Sequence, residues 1–257
     1  MSSGDEQEAY AEKAAIVTDN SNTRNLSLIF RVKKTQIRIM EDRGYNINEH
    51  DQEIKNIKTP EEFWEYARTN VEKLEKDPTS FWDFLSDVYV YEKDGVRKEN
   101  FVIFLPPPLG KSFPSTKLNR YIDVIQRTPS INFVDIIYEY PLSRINKTKL
   151  NVTNRNITSW TFSDLVAPIV DSYYVGKNMR VISDAEYREL YAGTGIFKSQ
   201  LPHIRKDDPL AKYWQWTPRM VIESIELGDL SIAVTHTLKH YVITPESITE
   251  VVETVDV

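Results

Sequence analysis

The sequence predicts two mixed units in one chain, an N-terminal α/β sandwich over residues 24–158 and a smaller α+β module over 159–257. Three observations carry that reading. Segments rich in Val, Ile, Tyr and Phe near 84–92, 100–105 and 131–139 have strand composition and alternate with helical periodicity, the order of an α/β domain. Residues 141–160 are rich in Asn, Thr, Ser and Lys, the composition of a boundary between domains. Beyond them, short capped helices alternate with short strand-like segments.

Residues 1–23 lack periodicity and hold five acids against one Lys, which predicts a flexible acidic arm. From there Leu26, Ile29, Phe30, Ile37 and Met40 recur at helical spacing. An amphipathic helix over 25–43 follows, with Lys33, Lys34 and Arg38 on its wet face and Gly44 as its stop. Thr59-Pro60-Glu61-Glu62 predicts a helix start, because Thr caps free amides, Pro fits the first helical position and Glu62 can reach back. Its buried face is Phe63, Trp64, Ala67, Val71 and Leu74. Strands at 84–92 and 100–105 are joined by an Asp94-Gly95 turn. Pro106, Pro107 and Pro108 end the second, since proline cannot donate to a ladder. Residues 115–127 place Leu118, Tyr121, Ile122 and Ile125 on one helical face and Lys117, Arg120 and Arg127 on the other, before a third strand at 131–139.

In the second unit, 162–174 is apolar and leaves strand and helix both open. Ser183-Asp184-Ala185-Glu186 is a capping box for a short helix carrying Tyr187, Leu190 and Tyr191, with Gly193 to end it. Asp208-Pro209 starts another through Tyr213. Strands are expected near 220–225, 231–237 and 241–244. No internal repeat is found.

Composition excludes several classes. The chain has no cysteine, so disulfides, thiolate metal sites and a Cys nucleophile are ruled out. No apolar run approaches the roughly 18 residues of a spanning helix, and the polar MSSGDEQEAYAEK start is no signal peptide. An intracellular protein is expected, and the glycosylation sequons at Asn25, Asn146, Asn151 and Asn156 are read as chance. The net charge of −6 opposes nucleic-acid binding. Its distribution alters that. Residues 1–23 and 245–257 each carry −4, whereas 24–148 and 149–244 each carry +1. A free-standing DNA binder is disfavoured, and a small basic patch within a larger assembly remains compatible.

Residues 187–213 resemble the C-terminal domain of the fifth subunit shared by the eukaryotic nuclear RNA polymerases, a domain with an archaeal counterpart. The core of the likeness is Ser199-Gln200-Leu201-Pro202-His203-Ile204 followed by Asp208-Pro209-Leu210-Ala211-Lys212-Tyr213. More weakly, Met40-Glu41-Asp42-Arg43-Gly44-Tyr45 and Phe101-Val102-Ile103-Phe104-Leu105-Pro106 resemble the eukaryotic jaw domain. The resemblance implies a restriction-endonuclease-like jaw at 24–158 and an assembly domain at 159–257. It implies a subunit without an active site, cofactor or metal, present once per DNA-directed RNA polymerase, partnered by the largest subunit and by downstream double-stranded DNA. Docking falls on a loop of Gln200, Leu201, Pro202, His203 and Ile204, with Asp208, Pro209 and Tyr213. Contact with DNA phosphates falls on the loop after the third strand, through Pro141, Ser143, Arg144 and Lys147, with Lys149 beside them. His203 stands where the family usually has Arg, Trp214-Gln215-Trp216 replaces a Gly-containing turn, and Glu226 replaces a basic residue. These departures imply a partner that has diverged with the chain, and a large DNA virus of eukaryotes as source, hence a virion, host-cytoplasm or nuclear location.

Plainer readings stand beside these. The docking loop can instead support its own domain, and 141–149 can be a solvated linker. The chain can be an adaptor that keeps the docking fold without polymerase. A nuclease needs clustered carboxylates and a Lys, and Asp87, Asp135 and Glu139 lie on predicted strands. The Glu-x-Lys pattern is missing, because Tyr140 and Pro141 follow Glu139. Of the histidines, only His236 and His240 are close in sequence, and on a hairpin their spacing makes no metal site.

Overall fold

A computed structural model describes residues 23–71, 80–93, 95–107, 115–139, 142–151, 155–171, 179–227 and 236–245. The chain divides into two units between Pro168 and Ile169. The acidic arm and the acidic C-terminal tail lie outside the described residues, apart from their innermost positions. Among the described residues no helix is long and apolar enough to cross a membrane.

The first unit opens with α1 (Thr23–Asp42). Its expected wet face is largely absent. Lys33, Thr35 and Gln36 are buried with Leu26, Ile29, Phe30, Val32, Ile37, Ile39 and Met40, as in a helix enclosed on most sides. Lys34 is half-buried and bonds the Ile57 carbonyl, while Arg38 stays near solvent, 3.7 Å from Asp42. Gly44 ends the helix at φ +82. Its N–H bonds the Glu41 carbonyl at 2.8 Å, and Tyr45 N–H bonds that of Met40 at 2.9 Å, a closure that needs a left-handed residue at Gly44.

Two helices follow that periodicity did not reveal. In α2 (Glu49–Asn56), Asn48 Oδ1 accepts the Asp51 N–H at 2.7 Å, but only Asp51 and Ile54 are buried. In α4 (Ser80–Leu85), Phe81, Trp82 and Leu85 are buried, so the first part of the strand expected at 84–92 is helical. Between them α3 (Pro60–Asn70) begins at Thr59, whose hydroxyl accepts the Glu62 N–H at 3.2 Å. Glu62 reaches back to Lys58 N–H at 2.9 Å, one residue before the cap. Phe63 and Ala67 are buried and Trp64 is half-buried; Leu74 lies outside the described residues.

The sheet runs β1-β2-β3-β4. Strands β1 (Asp87–Lys93) and β2 (Val96–Phe104) are antiparallel, with Lys93 opposite Val96 and Gly95 at φ +75 in the turn. Asp94 lies outside the described residues. Helix α5 (Ser115–Arg127) then crosses to β3 (Ile131–Tyr138), which runs parallel to β2, as a crossover helix permits.

The segment read as a linker is part of this unit. It forms α6 (Arg144–Asn151) and β4 (Asn156–Thr161), and β4 pairs parallel with β3 from Phe133–Asn156 to Tyr138–Thr161. Composition misled because the few apolar residues are well placed. Leu142 and Leu150 join Leu118, Ile122, Ile125, Val134 and Ile136 in the core, with Ile157 packed against it. Thr161 then caps α7 (Phe162–Leu165) in a complete capping box, so the boundary lies about ten residues beyond 158.

The second unit contains β5 (Met179–Ile182), α8 (Asp184–Leu190), β6 (His203–Arg205), α9 (Pro209–Tyr213), β7 (Val221–Leu227) and β8 (His236–Thr244). Its sheet runs β5-β7-β8-β6, antiparallel except for β6 against β8. Val221 and Val242 face Ile182, Tyr187 and Leu201, whereas Ile222 and Ile243 face Ala211 and Trp216. This alternation gives the sheet a core on each side. Most of the strand expected at 231–237 lies outside the described residues. The ambiguous 162–174 gives α7 and a 3₁₀ turn at Ile169–Asp171, with 172–174 undescribed.

Candidate functional site

The most specific sequence string, 199–213, is fixed by local bonds at both ends. Upstream, Ser183 accepts the Glu186 N–H at 3.2 Å and Glu186 accepts the Ser183 N–H at 2.7 Å. Tyr187 is buried and its hydroxyl donates to the Ile196 carbonyl at 3.0 Å, closing the turn that contains Gly193 and Gly195 at φ +76 and +70. Gln200 accepts the Phe197 N–H at 2.7 Å. The Phe197 side chain is 70% exposed, with Leu190 at 49% and Ile196 at 42%. Of the residues expected on this helix, Tyr187 is buried while Leu190 faces solvent.

The string is a 3₁₀ turn (Lys198–Gln200) leading into a strand, not a loop. His203 pairs with Val242, Ile204 with Ile243 and Arg205 with Thr244, and Val242 N–H donates to the Pro202 carbonyl at 2.9 Å. Leu201 is buried in the module's own core, so it is not a free plug. Ile204 is half-buried against the second core. Gln200, Pro202, His203 and Pro209 are exposed, Asp208 is half-buried, and Tyr213 is 1% exposed. Asp208 accepts the Leu210 N–H at 2.8 Å with Pro209 at the first helical position, as the sequence indicated.

After α9, Trp216 N–H bonds the Ala211 carbonyl at 2.9 Å and Gln215 N–H bonds that of Lys212 at 3.2 Å. Gln215 holds φ +54, the left-handed position of a helix C-terminus that favours Gly. Trp216 is buried; Trp214 is 36% exposed.

On the neighbouring surface Arg180 bridges Glu223 at 2.7 Å and Glu186 at 2.8 Å. The Arg180 guanidinium, helped by Ser183, holds the Glu186 carboxyl down to about 2 from an ordinary 4.5. His240 meets Tyr191 OH at 3.0 Å through Nδ1 and lies 3.4 Å from Glu223 through Nε2. Among the described residues no cluster of His, Asp or Glu is suited to hold a metal.

In the first unit, Ser143 Oγ accepts the Asn146 N–H at 3.3 Å. Arg144 and Lys147 therefore lie on a helix rather than the expected loop, while Pro141 is outside the described residues. Lys149 Nζ reaches Asn119 Oδ1 of α5 at 3.4 Å. The carboxylate considered for a nuclease has another use: Asp135 receives Arg43 at 2.7 Å, Asn100 at 2.6 Å and the Trp160 indole at 2.7 Å, and is 1% exposed. A carboxylate so surrounded by donors is a structural anchor.

Sequence reading missed a second buried network. Lys33 Nζ lies 2.9 Å from Asp51 Oδ1 and donates to Gln36 Oε1 at 2.9 Å and the Leu85 carbonyl at 3.1 Å. Tyr89 OH, which also bonds Asp51, lies 3.2 Å from the ammonium. Burial lowers the Lys33 pKa against the pull of Asp51, and it raises that of Tyr89. No short-range pattern marks partners 18 and 56 residues apart.

Residues 170–226 match the family model described as RNA polymerase Rpb5, C-terminal domain. A curated relative from Arabidopsis thaliana, DNA-directed RNA polymerase subunit 5-like protein 1, is 22% identical over 191 residues, covering 74% of this chain and 84% of the relative. That length exceeds the second unit, so the alignment enters the first.

Proposed function

We propose, from the match of residues 170–226 to the Rpb5 C-terminal domain and the likeness to the Arabidopsis relative, that the chain belongs to the RNA polymerase Rpb5 family and is a non-catalytic subunit of a multisubunit DNA-directed RNA polymerase. Its C-terminal unit docks on the largest subunit, and its N-terminal unit acts as a jaw that helps hold downstream duplex DNA. The observation that carries this reading is the family match over 170–226, which contains the whole string from Ser199 to Tyr213.

The docking anchors are the exposed Phe197, Ile196 and Leu190, with Gln200, Pro202 and His203 exposed close by in sequence. Apolar side chains left in water by a small module are the kind of residue that concentrates interface energy. Leu201, Ile204 and Tyr213 serve the interface indirectly, by holding β6 and α9 in place. On the DNA side, Arg144, Lys147 and Lys149 belong to one helix that Ser143 caps and that has no acidic residue in its eight positions, which suits phosphate contact without base reading.

Co-purification from the native setting tests the proposal. Tagged wild-type protein should bring down the largest polymerase subunit, and Phe197→Asp should lose it while melting normally. Absence of polymerase subunits with the wild-type protein would overturn the assignment. Reversing Arg144 and Lys147 to Glu should leave assembly intact and weaken crosslinking to downstream DNA.

A further inference from the structure

The first unit contains a recess that none of the above uses. The starts of β3 and β4 lie beside the middle of β2, with Asn100 aligned to Phe133 and Phe133 to Asn156. There Lys98, Asn132, Phe133, Arg155 and Asn156 line a cavity of about 370 Å³. Two of the five are cations and none is an acid.

The charges are uncompensated among the described residues. Arg155 Nε is buried without a hydrogen-bond partner, whereas Arg43, Arg68 and Arg97 in the same unit each meet a carboxylate. Lys98 has an aromatic neighbour instead of an acid, its ammonium lying 5.8 Å from the Tyr91 ring centre. The nearby acids are engaged elsewhere: Asp135 by Arg43, Asn100 and Trp160, and Glu99 by Arg97. Asn132 Oδ1 accepts the Glu99 N–H at 3.3 Å, which leaves its amide N–H groups as donors. A buried guanidinium N–H without an acceptor is costly, and an anion relieves that cost.

We propose that this recess binds a phosphate monoester of mononucleotide size. Lys98 and Arg155 hold the phosphate by charge-assisted hydrogen bonds. The remaining lining suits the group attached to it. A carboxamide offers both a donor and an acceptor, as Asn156 can to a base edge, and the Phe133 ring supplies a flat apolar surface against which a base can lie. The volume is that of a small-ligand site and exceeds what a bare phosphate fills.

The test is a calorimetric titration of the purified full chain with AMP, inorganic phosphate, adenosine and a short DNA duplex. Saturable AMP binding is expected, with inorganic phosphate a weaker competitor and adenosine not bound. Arg155→Gln should weaken AMP binding about tenfold or more, the scale of one lost charge-assisted hydrogen bond. Lys98→Gln, at an exposed position, should weaken it less, and Arg97→Gln should leave it unchanged. Should Arg155→Gln fail to fold, Lys98→Gln decides alone. No AMP binding at millimolar concentration, or unchanged affinity in the folded Arg155 and Lys98 variants, overturns the proposal. So does duplex binding that AMP cannot displace, which would assign the recess to DNA.

Discussion

Both units carry exposed ion pairs, such as Arg38 with Asp42 and Arg68 with Glu65 in the first, but they differ in the lysine and arginine pairs they bury. In the first, Lys33 with Asp51 and Arg43 with Asp135 are sealed inside, joining residues 18 and 92 apart and tying α1 to α2 and to the sheet. In the second, Arg180, Lys198 and Arg205 pair with acids at the surface, where side chains keep much of their exposure. Exposed pairs are screened and contribute little, whereas a buried charge that loses its partner is strongly destabilising. The first unit therefore adds long-range polar contacts to its caps and apolar core. The second is specified by local caps around two small apolar cores, which leave Phe197 and its neighbours outside.

The largest expected effect tests the buried pair. Asp51→Ala should destabilise the first unit by about 3–5 kcal/mol, because it strands the Lys33 ammonium. The double variant Lys33→Met/Asp51→Leu should recover more than half of that loss. Urea unfolding measures both, and a double variant as unstable as the single one would show that the pair is not the cause.

Next comes the contrast within the second unit. Leu201→Ala should cost about 2–5 kcal/mol, as a core truncation does, and lower polymerase incorporation only through stability. Phe197→Ala should leave the melting temperature within a degree or two and reduce incorporation directly. If the two residues exchanged these behaviours, the division between core and docking surface would be wrong.

Smaller effects sharpen the role of local signals. Ser183→Ala removes a cap and should cost about 1 kcal/mol. Gln215→Gly relieves a left-handed residue and should be neutral or stabilising by up to about 1 kcal/mol, read by thermal melting. Finally, the folded Glu186 carboxyl lies below its ordinary 4.5, near 2. Its stabilising contribution is therefore present above about pH 4.5 and is lost as pH falls toward 2. Carboxyl NMR should show a titration near 2 that moves up toward 4.5 in Arg180→Gln.

Legibility followed the range of the interactions. The bounds of α5 were readable because Leu118, Ile122 and Ile125 repeat at helical spacing, and the starts of α3, α8 and α9 because Thr59, Ser183 and Asp208 act within three residues. Helix α2 was not readable, since it has one buried apolar side chain and is held by Asp51 through a lysine on another helix. The polar stretch 141–160 concealed α6 and β4 for a similar reason: Leu142, Leu150 and Ile157 count only once β3 stands beside them. For the string from Ser199 to Tyr213, the sequence did not reveal which side chains are exposed, because that depends on the sheet that covers Leu201.

By itself the sequence determined the class of both units, most helix starts and the family string, because periodicity, capping and turn chemistry act over a few residues. Tertiary structure decided which charges are buried, where the first unit ends and which apolar side chains remain in water. Burial is a property of what packs against a residue, and in this chain those partners often lie tens of residues away.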